Sequence, residues 1–112
     1  MALPRERMLR KILEIVGSKK AEEVRVLDLR KLTWITDFFV ILHGDSLIQN
    51  RAIAEALLEQ MRERPVSVEG YEDGKWILLD YGDVMVHIFL PETRRFYHLE
   101  KLWGDAEVVA LG

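Results

Sequence analysis

Five apolar residues in a row, FFVIL at positions 38–42, constrain this chain more than any other stretch. A strand that alternates polar and apolar residues buries one face, whereas an unbroken apolar run needs cover on both. The fold must therefore be layered, with protein on each side of a sheet. The 112 residues, 49% of them hydrophobic, suffice for one such domain and its core but not for two. That hydrophobic content also excludes a disordered chain.

The flanking segments supply the layers. Leu9, Ile12, Leu13 and Val16 recur at helical spacing and predict a helix over residues 4–16, with Pro4 tolerated in its first turn and Gly17 at its end. EEVRVLDL then changes to period two, with Val24, Val26 and Asp28 on one side and Arg25, Leu27 and Leu29 on the other. RKLTWITD connects this strand to FFVIL, and Trp34 within it either caps the core or stands as a surface anchor. Ser46 and Gln49 form a capping-box pattern that opens a second helix. Its buried stripe is Ile53, Ala56, Leu57 and Met61, with Ala52, Ala54 and Ala56 small enough for close approach to neighbours, and Pro65 closes the region.

VSVEGYEDGKWILLD reads as a short strand, a turn at residues 72–74 and a longer strand, and VMVHIFL as the next. DYGD joins the last two, and Gly82 takes positive φ cheaply there. ETRRFYHLEKLW predicts a final helix with Phe96, Leu99 and Trp103 along its packing side. The expected domain covers residues 1–104. A tail at 105–112 either frays or pairs through residues 108–111. The fold class is α/β: a small mixed β-sheet of about five strands flanked by helices, with residues 35–42, the second helix and the strand from Val66 forming a right-handed crossover.

Several chemistries are excluded at once. Without cysteine there are no disulfides, thiolate nucleophiles or cysteine zinc sites. Sixteen Lys+Arg against 19 Asp+Glu, net −3, argues against a chain held mainly by phosphates but leaves room for a local basic patch. No apolar run approaches the ~20 residues that span a bilayer. The first residues lack the order of a signal peptide, and the expected location is cytoplasmic.

Other groups stay in contention. HGDS (residues 43–46) follows a strand and opens a helix, a place where backbone N–H groups hold anions, yet one glycine and a capping serine also start an ordinary helix. Asp80, Asp83 and His87 are the best metal or acid–base candidates. Four residues of strand separate Asp83 from His87 by about 13 Å, so the two cannot share a metal unless the chain bends. Across the hairpin, register decides whether His87 faces Asp80 or Trp76. Asp37, His43, Ser46 and His98 make a triad only on paper, since nothing in their spacing demands one. The large aromatics point elsewhere. Trp34, Trp76, Tyr81, Phe96, Tyr97 and Trp103 are many for a chain this small. On the last strand Met85, His87 and Phe89 oppose Val84, Val86 and Ile88, so either both faces are covered or one binds a partner.

The ordered blocks LDL, DFFVILHGDS, VEGYEDGKWILLDYGDVMVHIF and RRFYHLEKLW resemble the ribosomal silencing factor, or Iojap-like, family from about residue 24 to residue 103. The likeness is to bacterial rather than organellar members. It implies a nucleotidyltransferase-like fold without that enzyme activity, and no cofactor or metal. It also implies binding to the large-subunit ribosomal protein uL14, obstruction of small-subunit joining, repression of translation and often a homodimer in the free state. Related members assist large-subunit assembly. By position, the family pattern falls on Trp76, Leu78, Leu79, Asp80, Tyr81, Gly82, Asp83 and His87, then on Arg95, Tyr97, Leu99, Glu100, Leu102 and Trp103, with Asp37 and Gly44 from earlier blocks. The implied uL14 face draws on Trp76, Leu78, Leu79, Asp80, Tyr81, Asp83 and His87, with Arg95, Tyr97, Lys101 and Trp103 of the last helix. Asp45 departs from the family's usual uncharged residue, and no Asp-x-Asp pair exists to hold magnesium. The rival readings are an assembly factor acting on large-subunit precursors and a small nucleotide-handling enzyme built on HGDS with Asp80 and Asp83.

Overall fold

The apolar run becomes β2 (Phe38–His43), in which every residue is buried. The structure is a computed structural model and describes residues 4–109. Around β2 lie β1 (Glu22–Asp28), β3 (Ser67–Glu69), β4 (Trp76–Asp80), β5 (Val84–Phe89) and β6 (Glu107–Val108). They form one six-stranded sheet of order β3-β4-β5-β2-β1-β6. β2 and β5 run parallel and the other neighbours antiparallel, so the sheet is mixed. The chain leaves β2 through α2 (Leu47–Gln60), makes the far edge as the β3–β4 hairpin, and returns to β2's side as β5.

α1 (Pro4–Ser18) and α2 cover one face. Strand alternation sends Val26, Phe38, Val40, Leu42, Ile77, Leu79, Val84, Val86 and Ile88 there, against Leu9, Ile12, Ile15 and Val16 of α1 and Ile53, Ala54, Ala56 and Leu57 of α2. The opposite face has a smaller core of Leu27, Leu29, Phe39, Ile41, Phe89 and Leu99. Two short helices, α3 (Pro91–Tyr97) and α4 (Leu99–Leu102), serve this side. The sheet's two sides are therefore unequally covered, and that inequality sets up the site described below.

Two expectations are corrected, and the tail takes the second of its two expected courses by pairing. The last helix is broken: His98 sits in the left-handed region (φ 49°, ψ 58°) between α3 and α4. The break turns Leu99 and Trp103 toward the sheet and leaves Phe96 outside, 73% exposed. Ala52 is exposed on α2, so Ala54 and Ala56 provide the close approach without it. The tail contributes a sixth strand, with Leu27 opposite Val108 and Asp28 opposite Glu107, and Val109 N–H donates to Val26 O at 2.8 Å. Residues 110 and 111, the rest of the expected pairing segment, lie outside the described residues.

The HGDS turn is occupied by protein groups. Ser46 caps α2, its side chain accepting from Gln49 N–H at 3.0 Å. Gln49 Oε1 accepts in turn from Asp45 N–H at 2.7 Å, one residue earlier than a capping box requires. Fully buried Asn50 accepts from Gly44 N–H (3.0 Å) and donates to Gly74 O (2.8 Å), tying this turn to the β3–β4 hairpin. A Cβ on residue 44 would stand 2.5 Å from Asn50 Oδ1, so the glycine makes room for Asn50. The N–H groups of Gly44, Asp45 and Gln49 already have acceptors in the protein, so these three are not open to an anion.

Candidate protein-docking face

On β4, residues 77 and 79 point at the helices, so 76, 78 and 80 point away. Register carries these into rows across the sheet. Trp76 lies opposite Phe89, Leu78 opposite His87, and Asp80 opposite Met85. β3 extends two of the rows with Glu69 beside Leu78 and Ser67 beside Asp80. β2 extends all three, with His43, Ile41 and Phe39. The β2 end is buried, whereas Trp76, Leu78, Asp80 and Met85 are only half-buried. Apolar side chains thus remain open in the middle of a sheet face, next to a closed aromatic cluster.

That cluster fixes their positions. Trp76 stacks at a tilt on Tyr97 (centroids 4.7 Å apart) and on Phe89 (4.9 Å). Its indole N–H donates to His87 Nδ1 at 3.1 Å, so register and ring geometry choose Trp76, not Asp80, as the partner of His87. Phe39 meets His87 edge-on at 4.5 Å and Trp103 at 5.9 Å. Because Nδ1 accepts, the neutral ring keeps its proton on Nε2, and Nε2 is buried without a partner among the described residues. Burial pushes the His87 pKa down to about 4. His87 is therefore a neutral strut, unsuited to general acid–base work near pH 7.

The remaining residues singled out from the sequence separate by environment. Leu79 (fully buried) and Tyr81 (6% exposed) belong to the core under α1 and α2, on the wrong side of the sheet for a contact surface. Strand alternation is the reason for Leu79. Tyr81 follows it into that core, its hydroxyl buried without a partner among the described residues and its pKa pushed up to about 12 by burial. Asp80 Oδ1 accepts from Gly82 N–H at 2.8 Å and closes the DYGD turn, in which Gly82 takes φ +85°. Asp83 is exposed, while its carbonyl accepts from the N–H groups of Asp37 (3.0 Å) and Phe38 (3.1 Å). The two acids thus shape a turn, and no group of three or more His, Asp or Glu that could hold a metal occurs among the described residues. Arg95, Tyr97 and Lys101 are exposed and Trp103 half-buried on the α3–α4 side. Trp34, 93% exposed, is a surface residue rather than a core cap.

One residue that holds the face together was not singled out from the sequence. Arg94 is only 8% exposed, rare burial for an arginine. It reaches Glu100 Oε2 through Nε (3.2 Å) and a terminal nitrogen (3.0 Å), and His43 Nδ1 at 3.0 Å. Arginine has only donors, so His43 Nδ1 accepts and its Nε2–H faces Glu22 Oε2, 3.4 Å away. The cluster pins α3 and α4 to β1 and β2. The other members of the paper triad sit elsewhere: Ser46 caps α2, Asp37 lies beside Asp83, and His98 is exposed at the helix break.

Residues 3–112 match the family model described as ribosomal silencing factor during starvation. The chain belongs to the ribosomal silencing factor family. It is 43% identical over 109 residues to a ribosomal silencing factor of Halalkalibacterium halodurans, covering 95% of this chain and 93% of that one. A crystal structure of a Chromobacterium violaceum protein superimposes with a TM-score of 0.86 at 32% identity, covering 98% of this chain and 95% of the other. A mouse protein named for mitochondrial assembly of the ribosomal large subunit is 32% identical over 98 residues, covering 82% of this chain and 43% of its own length. In this family member no helix among the described residues is long and apolar enough to cross a membrane.

Proposed function

We propose that this family member represses translation in the cytoplasm without catalysis, by docking on the large-subunit ribosomal protein uL14 and blocking the approach of the small subunit. The observation that carries this reading is the open half of the sheet face: Leu78 and Met85 are half-buried in its middle, walled by Trp76 and Tyr97 and held rigid by the His87 cluster. A rigid apolar centre with an aromatic wall has the anatomy of a binding hot spot. Glu69, Asp80 and Asp83 on one side and Arg95 and Lys101 on the other give a charged rim that orients an encounter with a basic ribosomal protein. Leu79, Tyr81 and His87 support the surface from beneath. Two copies of the chain can compete for the same face, so uL14 shifts any homodimer toward monomer.

Subunit joining followed by light scattering tests the blocking role. Adding this protein to large subunits before small ones is expected to lower the yield of joined ribosomes, in proportion to the large subunits occupied. Full joining with every large subunit occupied would rule out obstruction. The mouse relative's name favours a second reading, action on large-subunit precursors. That reading requires tighter binding to immature than to mature particles.

A further inference from the structure

We propose that the outer side of α1 carries a second binding site, a shallow arginine-rich cleft that takes the phosphate backbone of RNA without reading its sequence. The cleft, about 450 Å³, is lined by Arg7, Arg10 and Lys11 of α1 and by Arg62, just beyond the end of α2. Glu14 and Glu63 also border it. Lys11 lies 3.6 Å from Glu14, but no carboxylate among the described residues pairs with Arg7, Arg10 or Arg62.

One of these charges, Arg7, runs against what the helix itself favours. The N-terminal end of a helix is electropositive and favours acids; Glu6 meets that preference in the first turn of α1, but Arg7 beside it does not, and the last turn has no basic residue. Arg7 also faces Arg10 and Lys11 at spacings of three and four, where like charges repel. Glu6 and Glu14 stand four residues either side of Arg10 and offset part of this repulsion, yet the four cations that line the cleft still outnumber its two acids. Arginine's planar fork matches phosphate oxygens two at a time. Side chains three apart on a helix stand about 5–6 Å from one another, so neighbouring forks can follow one backbone.

An anionic membrane offers the same charge but needs apolar anchors beside the basic groups. The cleft's one large apolar residue is the half-buried Met8, and none of the exposed large hydrophobics among the described residues lines it. An RNA backbone is the better fit. α1 covers the sheet face opposite Leu78 and Met85, so both surfaces can be engaged at once and either assignment can fail alone.

The experiment is fluorescence anisotropy of a labelled single-stranded RNA of mixed sequence, titrated with the full chain across a salt series. Three to four neutralised phosphates predict a weakening of about 20- to 50-fold between 50 and 200 mM salt. The double variant Arg10→Gln/Arg62→Gln is expected to flatten the log–log salt slope by about 1.4. Leu78→Asp is expected to leave the titration unchanged, as is a second RNA of different sequence. Both arginines are exposed, and the variant's melting curve confirms that it folds. If it does not, Arg7→Gln alone is the substitute, with a slope change of about 0.7. Absence of binding at low salt, a slope indifferent to the arginine variants, or stronger binding to phosphatidylserine vesicles than to RNA would each overturn the proposal.

Discussion

The indole nitrogen of Trp76 donates to Nδ1 of His87 at 3.1 Å, joining β4 to β5 on the side of the sheet away from α1 and α2. The bond exists only while the imidazole is neutral, since a charged ring carries a proton on both nitrogens. The folded-state pKa of about 4 lies below the ordinary 6.5. For such a histidine, stability is fully present above about pH 6.5 and declines as pH falls toward 4, because the unfolded chain binds the proton more readily. Urea denaturation at a series of pH values is expected to show His87 contributing a loss on the order of 3 kcal/mol by pH 4. In His87→Phe that part of the slope disappears. An unchanged slope in the variant would show that His87 titrates normally.

Tyr81 and Leu79 make a contrasting pair. Leu79→Ala removes a fully buried side chain and is expected to cost about 2–5 kcal/mol. Tyr81→Phe removes a buried hydroxyl that has no partner among the described residues, and is expected to be neutral or to stabilise by up to about 1–2 kcal/mol. Neither substitution is expected to weaken partner binding at a temperature where the chain is folded. Denaturant midpoints and a binding titration measure the two effects separately. Selective loss of binding in Tyr81→Phe would put that hydroxyl at the interface after all.

Arg94 links His43 to Glu100 and so holds α3 and α4 against the strands. Replacing it with Met keeps the bulk but leaves both partners without their donor. The Glu100 side chain is 28% exposed, yet its Oε1 is buried without a partner among the described residues, so the expected loss is about 3 kcal/mol, the low end for a broken buried pair. Near-UV circular dichroism of the aromatic cluster is expected to change before the helices unfold, since Trp103 follows α4. A variant as stable as the parent would show that the cluster is not what anchors this layer.

These outcomes depend on features that differed in how visible they were in the sequence. The run FFVIL announced a strand covered on both faces, and the period of WILLD and VMVHIF announced two strands of one hairpin. Local pattern carried that information. Which face stayed open did not follow from it, because cover depends on where α3 and α4 come to rest. His98 breaks their helix through a left-handed conformation that no local signal marks, and Phe96 is turned outward as a result. Arg94 escaped notice for a related reason: its burial follows from meeting His43, 51 positions away. Leu79 and Tyr81 stand inside a block that resembles its family throughout, and likeness alone does not separate the residues that build a surface from those that form it.

The most direct measurement is titration of purified uL14 with the parent chain and with Leu78→Asp, each verified as folded. The parent is expected to bind at micromolar concentration or below. The aspartate, placed in the middle of the open face, is expected to weaken binding by at least about tenfold, the loss of one buried apolar anchor. No binding by a folded parent chain, or binding by Leu78→Asp as tight as the parent's, would contradict the account.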